Sequence, residues 1–153
     1  MEFDDLMGAL SRQAGDGGDI PKDEDGVVRF AVGDITVAMM ELPELGEMVI
    51  WSRMGELPAY GAEKLKTALL RGNFLGRDTG GATLSLSESD EIYLHRRLEM
   101  RPLDGEAFVE ILTGFVQLMD AWRKIIVAYV PLAESEAETD GEMPSGDGFG
   151  IQV

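Results

Sequence analysis

Apolar positions change their spacing several times along the chain, and each change marks an element. Phe3, Leu6, Met7 and Leu10 recur at helical intervals, which predicts a short amphipathic helix over 3–13. Residues 15–26 interrupt the pattern with four Gly, one Pro and five Asp or Glu, the composition of a loop closing on Asp25-Gly26. From Val28 the period falls to two. Val28, Phe30 and Val32 alternate with Arg29 and Ala31, predicting a half-buried strand. Gly33-Asp34 then turns the chain into a second strand over 35–42, rich in Val, Ile, Thr and Met. Pro43 to Glu47 breaks that run, and Met48 to Arg53 forms a third strand.

Helical spacing returns over 59–73, where Leu65, Ala68, Leu69 and Phe74 share one side. Gly80-Gly81 marks a turn, followed by strands over 82–86 and 91–98 separated by Ser87 to Asp90. The last predicted helix, 103–130, carries Phe108, Ile111, Leu112, Phe115, Leu118, Met119, Trp122, Ile125, Ile126 and Tyr129. That is more than one apolar stripe, so this helix should meet the sheet on one flank and something else on the other. Pro131 is expected to end it. The order helix, three strands, helix, two strands, helix predicts an α+β fold, an antiparallel sheet with helices packed mainly against one face. For such a small layer, dimerisation is one way to cover its sheet edges and second apolar surfaces.

One folded, dimerising domain is expected over 1–130, followed by a flexible acidic tail over 131–153. The tail holds six acids, four Gly, two Pro and no Lys or Arg, too little apolar material for a core. The whole chain has 13 Lys and Arg against 29 Asp and Glu, a net charge of -16. That field repels nucleic acid and anionic lipid and favours a basic peptide. The first 20 residues contain Asp4, Asp5, Asp16 and Asp19 and no secretory pattern. The longest apolar run, near 125–130, is too short to span a bilayer. A cytoplasmic protein without stable membrane insertion is the expectation.

Chemistry finds little support. There is no Cys, so thiolate catalysis and disulfides are excluded. The single histidine, His95, lies in a predicted strand without an evident nucleophile or a set of metal ligands. Asp23-Glu24-Asp25-Gly26 lacks the ligand spacing of a calcium loop. Glu88 and Asp90 flank a hairpin turn and suggest no deep sugar pocket. The glycines of 76–81 precede a strand and lack the Lys-Ser/Thr of a phosphate loop, so they read as a tight turn. Arg96 and Arg97 fall on opposite faces of their strand, a poor basis for nucleic-acid binding. Trp51 and Trp122 suit core or interface anchoring. The nine Met residues suit either core filling or an adaptable binding surface. No enzyme activity, metal or cofactor is expected.

Several segments, taken in order, resemble the class I type III secretion chaperones, the family of the Tir and YopE chaperones. They are Phe3-Asp-Asp-Leu-Met and Asp23-Glu-Asp-Gly-Val, then Leu69-Leu-Arg-Gly-Asn-Phe-Leu-Gly. Thr79-Gly-Gly-Ala-Thr-Leu-Ser-Leu, Leu94-His-Arg-Arg-Leu and the long final helix complete the pattern. The resemblance spans about 3–127. It implies a homodimer of α-β-β-β-α-β-β-α subunits that holds the N-terminal segment of a secreted effector in a partly extended, export-competent form. It further implies delivery to the type III export ATPase without ATP hydrolysis by the chaperone. Gly80 and Gly81 then belong to the scaffold, and the acidic extension is longer than the usual family core. The rival reading is a non-enzymatic interaction or regulatory module for a secretion component.

Peptide recognition of this kind combines open backbone groups with pockets for alternating side chains. The effector-binding candidates are therefore the strand residues Val28, Phe30, Val37 and Met39, with Leu6 and Leu10 of the first helix. Some of these must face the core. Gly80, Gly81, Phe108, Phe115 and Trp122 are the candidates for holding the fold or the dimer.

Overall fold

In the computed structural model, residues 1–15 and 17–141 are described, the side chains of 130–141 excepted. Phe3, Leu6, Met7 and Leu10 line the buried side of α1 (Phe3–Ala14), and Gly15, at φ 87°, ends it in the left-handed conformation. β1 (Val28–Val32), β2 (Ile35–Leu42) and β3 (Glu47–Glu56) follow as an antiparallel meander. A 3₁₀ turn at Pro43–Leu45 joins the last two. β3 outruns the expected strand because the register shifts between Arg53 and Gly55, a bulge that lets pairing with β5 resume. α2 (Ala62–Gly72) comes next, then β4 (Thr83–Leu86) and β5 (Glu91–Glu99).

The strands form one sheet in the order β1-β2-β3-β5-β4, antiparallel throughout, leaving β1 and β4 at its two edges. The α-β-β-β-α-β-β-α order expected from the sequence is the observed one. Alternate strand positions go under the helices: Val28, Val37, Met39, Met48, Ile50, Ile92 and Leu94 are fully buried. The opposite row carries half-buried Met40, Val49, Trp51, Tyr93 and His95. Ion pairs Arg53–Glu91 and Arg97–Glu47 flank that row.

α3 (Gly105–Gly141) lies against β3 and β2 and packs on both other helices. It starts where the Asp104 carboxylate accepts the Ala107 N–H at 2.8 Å, an N-cap that sets the first helical residue at Gly105, two past the expected start at Leu103. Phe108, Leu112, Phe115, Met119, Trp122 and Ile126 form its buried stripe. The expected stop at Pro131 is corrected, since the helix continues to Gly141. Proline removes one N–H and crowds the preceding turn, but Leu, Ala and Glu over 132–138 are strong helix formers. The first part of the expected tail is thus helical, and 142–153 lie outside the described residues.

Candidate functional site

β1 is an edge strand, and its outer side is only partly occupied. Asp23 donates its backbone N–H to the Val27 carbonyl at 2.9 Å, and Lys22 bridges to Val28. This cover is built by Asp23 itself, whose side chain accepts the N–H groups of Asp25 and Val27, each at 2.9 Å. Arg29 pairs with the same carboxylate and, with those N–H groups, holds it below the usual aspartate range. The acidic 23–25 segment is therefore a folded turn.

Beyond that turn, a groove of about 350 Å³ runs between the end of β1 and the helices. α1 contributes Leu10, Gln13 and Ala14; β1 contributes Phe30, Ala31 and Val32; α3 contributes Val109, Leu112, Thr113, Val116 and Gln117. None of these side chains is charged, on a chain whose net charge is -16. Phe30 and Val116 are half-buried and Val32 is exposed, so the groove presents apolar surface while Leu10 and Leu112 form its floor. The ion pair of Arg123 with Asp34, at 2.9 Å, ties the β1–β2 turn to α3. Arg123 also holds the Asp34 carboxyl below its ordinary value. Chemically, the site offers a strand edge beside sockets for apolar side chains, the arrangement that receives an extended peptide.

Of the six effector-binding candidates, Leu10 and Phe30 line this groove. Leu6, Val28, Val37 and Met39 are 0% exposed and belong to the core. For those four the expectation is corrected: period-2 alternation tells which residues share a face, and the helices cover that face. The α3 residues Val109, Thr113, Val116 and Gln117 were not anticipated individually. Their signal was the excess apolar coverage of the last helix, which marked a second flank without locating it.

A second apolar surface lies at the other end of the sheet. Leu70 is 73% exposed, Phe74 62%, Leu75 80% and Leu86 41%. Leu75 sits at φ 55°, a left-handed conformation that costs a leucine about 1–2 kcal/mol. Two anchors hold the segment in place. The Asn73 side-chain amide bonds both backbone groups of Leu84, at 2.9 and 2.8 Å. The Trp122 indole N–H donates to the Asp78 carbonyl at 3.0 Å. Phe108, Phe115 and Trp122, candidates for fold or dimer, are all buried in the core. Gly80 and Gly81, at φ 54° and 85°, make the turn into β4.

His95 Nδ1 lies 3.1 Å from the Ser85 hydroxyl, and no cluster of three His, Asp or Glu side chains suited to a metal occurs among the described residues. No helix among them is long and apolar enough to cross a membrane.

The Tir chaperone protein (CesT) family matches residues 7–123, from α1 to the Trp122 turn of α3. The chain belongs to that family. Solved structures agree on the fold. A chain of the ExsC–ExsE complex superposes with a TM-score of 0.69 at 16% identity, covering 82% of this chain and 97% of that one. The Yersinia pestis type III secretion chaperone SycH, solved with a fragment of YscM2, gives 0.63 at 21% identity, covering 78% and 98%. In sequence, a Chlamydia pneumoniae protein, CPj0713/CpB0740, is 25% identical over 101 residues, 65% of this chain and 77% of its own length.

Proposed function

We propose that this chain is a cytoplasmic chaperone that binds the N-terminal segment of a type III secreted effector and keeps it extended for export. The observation that carries the reading is the uncharged groove beside the β1 edge in a member of the Tir chaperone family. Apolar side chains of the client fill the sockets near Phe30 and Val116, and its backbone pairs with the free end of β1. A basic client gains from the surrounding acidic field, mainly in association rate.

The working unit in this proposal is a homodimer joined through Leu70, Phe74, Leu75 and Leu86. These four expose large apolar side chains, one of them on a left-handed backbone, which burial against a second copy would stabilise. Handover to the export ATPase rests on the family resemblance alone. The test is co-expression with the N-terminal segment of a secreted protein encoded beside this chain, comparing wild type with Phe30→Asp and Val116→Asp. Binding by wild type and its loss in both variants, with circular dichroism unchanged, supports the reading. Undiminished binding by folded variants removes the groove from it.

A further inference from the structure

The buried stripe of α3 has a second cleft on its far side. Residues 109, 113 and 116 face the groove already described, whereas 111, 114 and 118 point about half a turn away. There Ile111, Phe115 and Leu118, with Ala82, enclose an apolar space of about 330 Å³. One wall is cationic. Arg96 occupies the row of β5 whose neighbours Leu94 and Leu98 are buried, so its stem rises on the helix-covered side. Its guanidinium lies over Gly81, where an added Cβ would come within 3.6 Å of Cζ. Among the described residues it has no hydrogen bond or ion pair. Glu110 stands exposed at the same cleft and does not pair with it.

Two further features leave this space incomplete. Thr79, on the cleft wall, is 0% exposed and its hydroxyl has no hydrogen-bond partner. Gly114 lies in the middle of a long helix, and a Cβ there would meet nothing within 4 Å. A half-buried guanidinium beside apolar walls, left unpaired by the exposed Glu110, favours an occupant whose carboxylate reaches it, because a planar Arg fork takes two carboxylate oxygens at once.

We propose that this cleft is a second peptide anchor, selective for an apolar side chain adjacent to a carboxylate. It deepens the chaperone reading and rests on it: the client carries an acidic-apolar pair that docks here, distinct from the neutral apolar residues of the β1 groove. The overall charge of the chain favours basic partners, so this cleft is a local exception that sets the register of the client.

The probe is N-acetyl-Phe-Asp-amide, compared with N-acetyl-Phe-Asn-amide, titrated into the full chain and read from the amide shifts of Gly80, Gly81 and Gly114. The acidic dipeptide should bind about ten-fold more tightly, the usual scale for a charge-assisted hydrogen bond. Arg96→Gln should erase that preference, Arg96→Lys should keep part of it, and Glu110→Gln should strengthen binding. Gly114→Leu fills the cleft from an open helix position and should abolish binding of both probes without unfolding the chain. Equal binding of the two dipeptides, shifts confined to other residues, or indifference to Gly114→Leu would overturn the proposal. Phe30→Asp separates the two readings: loss of client with the dipeptide preference intact disables only the β1 groove. A client that binds wild type but ignores both Arg96→Gln and Gly114→Leu refutes the anchor and leaves the chaperone function standing.

Discussion

Adding one methyl group at each of two helical glycines should move stability in opposite directions. At Gly72, the last residue of α2, a Cβ would lie 2.3 Å from one carbon of the Trp122 ring, 2.5 Å from another and 3.0 Å from a Leu84 methyl. Ordinary carbon contacts begin near 3.5 Å, so the indole must retreat by about 1 Å. It has no free path, being buried at 6% exposure and tied through its N–H to Asp78. Overpacking costs roughly 1–3 kcal/mol, and loosening the indole hydrogen bond adds about 1 kcal/mol. Better helix propensity returns close to 1 kcal/mol. Gly72→Ala should therefore lose about 1–3 kcal/mol. At Gly114 the same substitution meets open space, and only the propensity remains, a gain of up to ~1 kcal/mol. Urea unfolding followed by circular dichroism, at fixed protein concentration, measures both. If Gly72→Ala equals or exceeds wild type, the Trp122–Gly72 contact does not hold α2 as described. If Gly114→Ala is destabilising, the cleft beside it is filled.

In the proposed homodimer, Phe74→Asp should turn a dimeric mass into a monomeric one at low micromolar concentration while leaving helix content intact, read by sedimentation equilibrium. Replacing Leu75 by glycine relieves its left-handed backbone but removes apolar surface from the proposed interface, so the monomer should hold its stability while the proposed dimer weakens. Asp23, Asp34 and Glu91 have folded-state pKa values below their reference values of 3.8, 3.8 and 4.5, chiefly through Arg29, Arg123 and Arg53 respectively. Their contribution is complete above the unfolded pKa and is lost as pH falls through the folded one. Urea midpoints should therefore drop below about pH 4, and Asp34→Asn should flatten that acid limb. Ending the chain after Val130 should leave the melting temperature nearly unchanged, because the core runs from Phe3 to Ile126 with Tyr129 at its margin.

Element type and order were legible because spacing changes cleanly from helical to alternating and back. Facing was harder. Val28 and Phe30 belong to the same alternating row, yet Val28 is covered while Phe30, near the open end of β1, contributes to a groove. That difference comes from where α1 and α3 cross the sheet, a tertiary fact that no local period encodes. The same holds for Arg96, which sits among core-facing positions and could be separated from Arg97 by parity but not assigned a cleft. The stop at Pro131 failed for a different reason: a proline penalty of about 3 kcal/mol acts on one turn, while Leu132, Ala133, Glu134, Glu136, Ala137 and Glu138 after it are good helix formers. Glycine spacing suggested a turn at 80–81, and its positive φ angles agree; the exposed leucines beside it were visible only as part of a family-like segment.

The strand order has a consequence for avidity. With β1 and β4 at opposite edges, the dimer proposed above, joined near β4, would carry its two β1 grooves at its far ends. A client long enough to reach both is captured in two steps, the second at the effective concentration set by the stretch of chain between them. Spacing along the client then governs retention as much as the identity of its apolar residues. A linker too short to span the pair gains nothing from the second site, and one matched to it dissociates far more slowly than either half alone. Separating the subunits would consequently loosen a spanning client even with both grooves intact.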